Sequence, residues 1–472
     1  MARTITIDPV TRIEGHARVL LDLDDGQQVK SARLVVNELR GFERMLVGME
    51  ADRMPLVTAR ICGVCPVPHA LASTKALETA FRITPPPAGV IMRRLISLGH
   101  VIHSHALHLF ALGGPDLYFG LSADPAIRNV VGLVKEAPEL AKKALRLRTL
   151  GQRIVETVGG RGIHPVTVVL GGVSFELSQE ERDLLRRQAA ELVEVAKEVA
   201  PAFRELLLKL VAAEPALADA KAPMHDVGLL AAGGKMDHYD GALSLGGPDG
   251  VLRGEIQAQR YAEFLEERTF DYSYMKPVWV HWGGEEHTYR VGPLARVNLV
   301  SGMDTPAAAA ELAAFRAACP RPCQSMVMQH WAKLVEVLWA CEQVQVLLES
   351  PDLSGPTRVG ASVRAGRGVG VAEAPRGTLI HEYEVDAKGI VRKANLIIAT
   401  QQNYHSINRS LEQAANAYAA GKSDAALLNA VEFAVRCHDP CLACATHAVG
   451  QMPIEIELRR GGEVVRSVRR GG

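Results

Sequence analysis

Aromatic residues supply only 5% of this 472-residue chain, and none of them interleave with basic side chains into a stripe. Single-stranded nucleic acids are gripped by such stripes, so that class of partner is disfavoured. Charge of one sign is lacking too, since 53 Lys and Arg balance 53 Asp and Glu. A neutral chain exerts no strong pull on a phosphate backbone or an anionic bilayer. No run of 18 or more apolar residues occurs, so no membrane span is expected. The N-terminus, Met1 to Asp8, has no apolar signal core, and a cytoplasmic location is expected. Eight cysteines are far too few for a disulfide scaffold. There is no internal repeat, low-complexity tract or linker.

What is present is ordinary in bulk: 48% hydrophobic and 22% charged residues, as in globular proteins. The length allows about three domains at roughly 150 residues each. The pieces nevertheless read as interleaved around one helical core. The expected class is mainly α with β additions (α+β), a single domain over 1–472. It has a β-rich part at 1–55, a helical core at 56–447 with β insertions near 222–300 and 365–400, and an extension at 448–472.

Arg18–Leu23 and Val29–Val36 flank Asp24-Asp25-Gly26, a hairpin signal. Helical spacing runs over 86–112 and 125–158. Ser178-Gln179-Glu180-Glu181 is a capping box that opens a long helix, which Pro201 should kink or break. Residues 222–300 read as irregular with some strand. Thr305-Pro306 starts another helix, and 324–349 and 407–436 are helical. Residues 354–377 are glycine-rich, 379–398 read as a hairpin around Asp386-Ala387-Lys388-Gly389, and the tail holds a small hairpin. Gly366-Arg367-Gly368-Val369-Gly370 lacks the spacing and context of a nucleotide-binding fingerprint.

Chemistry concentrates in two Cys-x-x-Cys pairs near opposite ends of the chain. The first is Arg60-Ile61-Cys62-Gly63-Val64-Cys65, with His69 following. The second is Asp439-Pro440-Cys441-Leu442-Ala443-Cys444, with His447 following. A local zinc finger keeps its pairs roughly 12–20 residues apart; here the fold must bring distant segments together. Four thiolates are soft ligands that suit nickel, iron or zinc rather than magnesium. A structural Zn(Cys)4 site is the chemical competitor. Cys319-x-x-x-Cys323 could suggest a second metal but reads rather as core or surface thiols, and Cys341 and Cys437 belong to no motif. On residue chemistry alone Glu14 is a helix cap or a salt-bridge partner of Arg12, and His69 a satisfied core histidine.

The two cysteine motifs resemble the signature motifs of the large subunit of nickel-iron hydrogenases. Asp8 to His16, Arg40-Gly41-Phe42-Glu43, Glu373-Ala374-Pro375-Arg376-Gly377 and Asn395 to Thr400 resemble four further family segments, in family order. The resemblance implies reversible cleavage of dihydrogen to protons and electrons. Cys62 and Cys441 would be terminal nickel ligands, and Cys65 and Cys444 would bridge nickel to an iron carrying CO and cyanide. It further implies Cys441 sulfur as first proton acceptor and Glu14 as proton gate. Arg376 would lie over the open metal position, with Pro375 and Asp439 around it, and His69 would donate to a bridging sulfur. Glu43 and His447 would hold a second metal, magnesium. Glu78 stands where many relatives carry Asp.

The second motif looks most like the soluble bidirectional group, which passes electrons to NAD(P) through diaphorase subunits. Heterodisulfide, ferredoxin or flavin-based bifurcating modules are the alternatives. A small iron-sulfur subunit is implied, with iron-sulfur clusters, flavin and NAD sites all on partner subunits. A maturation protease of the family would remove Ala448 to Gly472. The quinone-module subunit of respiratory complex I shares this fold but lacks the four cysteines.

Overall fold

Strict alternation of burial marks an inner strand of the N-terminal sheet. The computed structural model describes residues 3–8, 10–24, 28–36, 41–270, 273–419, 423–442, 454–460 and 463–470. Strand β2 (Ala17–Leu23) buries every second residue, with Val19, Leu21 and Leu23 inward, and pairs antiparallel with β3 (Val29–Val36). This is the expected hairpin. A strand not expected, β1 (Arg3–Asp8), pairs antiparallel with the other edge of β2.

A short helix α1 (Phe42–Leu46) leads toward the first cysteine pair, and Pro66 then opens α2 (Pro66–Phe81). Proline suits a first helical turn because its missing N–H has no partner there anyway. The helix expected over 86–112 is α3 (Pro87–Leu107) continued by a wider π-helical turn over His108–Leu112. By length and apolarity Pro87–Leu112 could cross a bilayer, but most of it is buried inside the protein. Among the described residues no other helix passes that test.

The helix expected over 125–158 is split into Val130–Glu136, capped by Asn129, and α4 (Pro138–Gly159). Pro138 lacks the N–H that would continue the first helix, so the chain restarts there. Helix α5 (Gln179–Ala213) opens at the capping box, with Ser178 Oγ accepting from Glu181 N–H and Glu181 Oε2 from Ser178 N–H. The expected break at Pro201 does not occur. Pro201 strips a donor from the carbonyl of Lys197, and both residues are solvent-exposed, so water can replace it. Meanwhile Ala196, Val199, Ala200 and Phe203 are buried and hold the helix through the defect.

Residues 222–300 contain more regular structure than expected. Strands β4 (His225–Ala231), β5 (Ala242–Gly246) and β6 (Leu252–Ile256) form an antiparallel sheet, and α6 (Pro293–Leu299) is a wholly buried helix. Helix α7 (Gln329–Glu349) runs through the core, packed against α3 and α5.

The glycine-rich stretch supplies β7 (Gly366–Ala374), joined antiparallel to the expected hairpin of β8 (Gly377–Val385) and β9 (Val391–Ile397). Its glycines serve packing. A Cβ on Gly366, Gly368 or Gly370 would collide with the backbone carbonyls of Ala80, Ala76 and Ala72 respectively. A strand repeat of two thus lies flat on a helix ridge of alanines spaced by four on α2. Helices α8 (Tyr404–Ala419) and α9 (Asp424–Cys437) replace the single helix expected over 407–436, with Ser423 capping α9. The tail hairpin of β10 (Ile454–Arg460) and β11 (Glu463–Arg470) is as expected. In addition β10 pairs with β1, giving a five-stranded sheet in the order β11-β10-β1-β2-β3.

Cys341 and Cys437 are buried free thiols. Cys319 and Cys323, expected as thiols, instead form a disulfide, with Cα atoms 5.5 Å apart. Pro320 and Pro322 fold the segment back on itself and bring the two within bridging range.

Candidate metal centre

Cys62 and Cys65 occupy the turn before α2, where the Cys65 N–H donates to Cys62 Sγ at 3.0 Å. Cys441 follows α9. Its N–H donates to Thr400 Oγ1 at 3.0 Å, and it forms a parallel bridge with Glu14, whose carbonyl accepts from Leu442 N–H at 3.2 Å. Cys441 Sγ lies 3.2 Å from Cys62 Sγ and 3.9 Å from Cys65 Sγ. These sulfurs line a cleft together with Phe42, His69, Ile398, Thr400 and Leu442.

Two of these thiols, Cys65 and Cys441, ionise poorly by themselves. Hydrogen bonding with Cys62 and Cys65, and then burial, push the Cys441 thiol well above its ordinary pKa. A soft cation replaces those protons and resolves the crowding, so the donor set fits nickel, iron or zinc. Cys444 and His447 lie outside the described residues.

Arg376 reaches the site from the two-residue turn Pro375-Arg376 between β7 and β8, closed by Gly377 at φ 133°. Its Nε donates to the Asp439 carbonyl at 2.8 Å, Nη2 to Asp439 Oδ1 at 2.9 Å, and Nη1 to Ser104 Oγ at 3.2 Å. Lys333 Nζ donates to the other Asp439 oxygen at 2.6 Å. Burial alone would raise the Asp439 pKa, but the facing cations, Arg376 foremost, hold it well below the usual carboxylate range. Burial pulls Lys333 down to about 8 against the attraction of Asp439. Beneath the turn, Arg296 pairs with Glu373 at 2.5 Å and Glu336 at 2.6 Å and donates to the carbonyls of Ala374 and Pro375. Pro375 is thereby held by its backbone.

The segment carrying Glu14 is stapled to α9. Thr11 donates through N–H and Oγ1 to Glu432, and Arg12 pairs with Asp116 at 2.5 Å, which also takes Arg436 at 2.7 Å. Glu14 itself is buried, 7% exposed. His69 Nδ1 lies 3.1 Å from His381 Nε2.

The structure therefore brings together Cys62, Cys65, Cys441, Glu14 and His69, with Arg376, Pro375 and Asp439 in one adjoining network. Glu43 is half-buried on α1 and joins no trio of ligating groups among the described residues. Glu78 lies elsewhere, in a buried bidentate pair with Arg93 at 2.6 and 2.9 Å. The other such trio among the described residues, Glu266, His281 and Glu286, lies nearer the surface and is bridged by Arg268. Lys333 and Ser104 were not expected at the site, and Thr400 was expected only as the end of a family-like segment. The signal for Lys333 is that it is the one Lys or Arg in a long, largely buried helix.

A family model described as nickel-dependent hydrogenase matches residues 40–128 and 248–447, and one described as HoxL-like matches 4–39. The vhu F420-non-reducing hydrogenase chain of Methanocaldococcus jannaschii is 40% identical over 87% of this chain and 98% of its own. The NAD-reducing hydrogenase HoxS subunit beta of Cupriavidus necator is 36% identical over 97% of both chains. Among solved structures, an NAD+-reducing [NiFe]-hydrogenase in the H2-reduced state superposes with TM-score 0.88 at 38% identity, over 94% of this chain and 99% of that one.

Proposed function

Because the chain belongs to the nickel-dependent hydrogenase family, we propose that the cysteine cleft is the site of reversible, heterolytic dihydrogen cleavage. The chain is the catalytic large subunit of a nickel-iron hydrogenase. The observation that carries the reading is the meeting of Cys62, Cys65 and Cys441 within 4.8 Å of one another.

Cys62, Cys65, Cys441 and Cys444 would hold a nickel-iron centre, with CO and cyanide on the iron. When bound, this centre supplies the Lewis-acidic, electron-accepting position at which a very weak acid such as dihydrogen can be split. The residues supply the rest. Cys441 sulfur takes the released proton and Glu14, bridged to Cys441 through the backbone, passes it on. Arg376 is a hydrogen-bond donor and fixed charge rather than a base. Burial would lower its pKa, but Asp439 and the thiols raise it, and a guanidinium stays protonated in any case. Asp439 orients it, and Pro375 sets the turn. His69 donates to a cysteine sulfur. Glu43 and His447 would hold magnesium.

Electrons must leave through a partner. The small subunit would carry the iron-sulfur clusters, with diaphorase subunits passing electrons to NAD(P), in the cytoplasm. Similarity to NAD-reducing relatives over nearly the whole chain supports that acceptor. Similarity to F420-non-reducing relatives supports a second reading, a different acceptor module. The segment after residue 447 would be cut away by a maturation protease, and the family match ends at that residue.

The test is an infrared spectrum of the purified complex with its nickel and iron content. Sharp bands in the CO and cyanide stretching region, with both metals present, are expected. Stoichiometric zinc without such bands would overturn the reading. Hydrogen-dependent reduction of NAD, NADP or neither then separates the acceptors.

A further inference from the structure

Behind His69 the wall of the cleft continues as an unbroken line of polar groups. His69 Nδ1 lies 3.1 Å from His381 Nε2, His381 Nδ1 lies 2.8 Å from the Tyr383 hydroxyl, and that hydroxyl lies 3.1 Å from Ser73 Oγ. All four residues are buried, at 2% exposure or less. An interior keeps such groups only when each is satisfied.

The line follows from the meeting of one helix and one strand. His69 and Ser73 are four apart on α2, about 6 Å along its axis. His381 and Tyr383 are two apart on β8, about 6.8 Å along it. The two spacings nearly match, so two rungs form. Gly370 and Gly368 stand directly opposite His381 and Tyr383 on β7. Their missing side chains let the sheet approach α2 closely enough for the rungs to close.

We infer that His381, Tyr383 and Ser73 are positioning residues that fix which nitrogen of His69 carries its proton, so that His69 presents Nε2–H to the cysteine sulfurs. The inference rests on the hydrogenase reading and deepens it. A neutral imidazole has one donor and one acceptor nitrogen. The line therefore runs in one of two senses.

In the first sense the Tyr383 hydroxyl turns its one proton from Ser73 Oγ, to which it donates in this structure, onto His381 Nδ1, and His381 Nε2–H donates to His69 Nδ1. The His69 proton is then on Nε2. In the second sense every bond reverses, and His69 turns a bare lone pair toward the sulfurs. Thiolates holding a metal repel a lone pair and attract an N–H, so the first sense is the stable one. Burial supports it as well. His381 is held neutral, its pKa driven well below the ordinary value by burial and then by His69. Burial raises Tyr383, which keeps its proton to give.

An N–H directed at a thiolate withdraws electron density from the sulfur, and through it from the iron. Cutting the line weakens that bond. The whole complex is purified as unaltered protein and as Y383F and H381L, and the CO and cyanide bands are recorded beside the metal content. The expected result is a shift of all bands to lower wavenumber, smaller in Y383F than in H381L, with nickel and iron unchanged. Bands that stay in place or move upward in Y383F overturn the inference while leaving the hydrogenase reading intact. Absence of bands in the unaltered complex overturns both. Should H381L not fold, Y383F decides, since it removes a single oxygen.

Discussion

Arg376 shows how much one side chain is asked to do. It makes two hydrogen bonds to Asp439 and one to Ser104 from three different nitrogens. A lysine keeps the charge but has one nitrogen and no planar fork. R376K is expected to retain nickel and iron and to lose about 10–100-fold in turnover, the range typical of residues around a metal site. Turnover within twofold of the unaltered enzyme would show that charge alone suffices. Lys333 makes the complementary case. K333M leaves one Asp439 oxygen without its buried partner, at a cost of about 3–5 kcal/mol, to be read from the urea midpoint. At this scale the sequence was unequal. Arg376 and Asp439 stand in motifs that the eye can find. Lys333 stands between Ala332 and Leu334 on a core helix, and only the fold shows that it faces Asp439.

At the scale of elements, local signals were legible and long-range ones were not. The hairpin of β2 and β3 and the hairpin of β8 and β9 have alternation and turn residues within one short window. β7 has neither, because its glycines read as loop punctuation. Their meaning depends on α2, which lies far away in sequence. The same is true of β1, whose partner β10 is at the other end of the chain. Pro201 misled in the opposite direction, since its local defect is real but tertiary packing outweighs it. The close contact of β7 with α2 gives a sharp expectation. In G368A the added methyl meets backbone atoms of Ala76 and Ala80, which cannot swing aside. Overpacking of this kind costs about 1–3 kcal/mol or more, while the equally conservative G283A, at an open surface turn, is strained only through its positive φ. Equal melting temperatures for G368A and the unaltered chain would refute the close packing.

For the whole molecule, the centre exists only because Cys62 and Cys441, 379 residues apart, are brought to 3.2 Å. The two motifs announced the meeting, but the scaffold that enforces it was hidden. That scaffold is unusually rich in buried histidine, and this sets how the protein responds to acid. Burial lowers His105 and His330 to about 4, and His238 and His438 to about 3. In the unfolded chain each returns to about 6.5. Between those values the unfolded state binds more protons than the folded one, so stability is whole above pH 6.5 and falls as pH falls. Each histidine contributes a slope of about 1.4 kcal/mol per pH unit, and four together give about 5 kcal/mol per unit. Asp439 and Glu336 have depressed pKa values as well, so they add to the loss once pH drops below the ordinary carboxylate range near 4. A domain stability of about 5–15 kcal/mol is then exhausted between pH 6 and pH 4. Urea midpoints measured at pH 7.5, 6.5, 5.5 and 4.5 should be level over the first pair and fall steeply over the rest. A level midpoint down to pH 4.5 would mean that these histidines are protonated in the folded protein, and that the interior around α3 and α7 admits water.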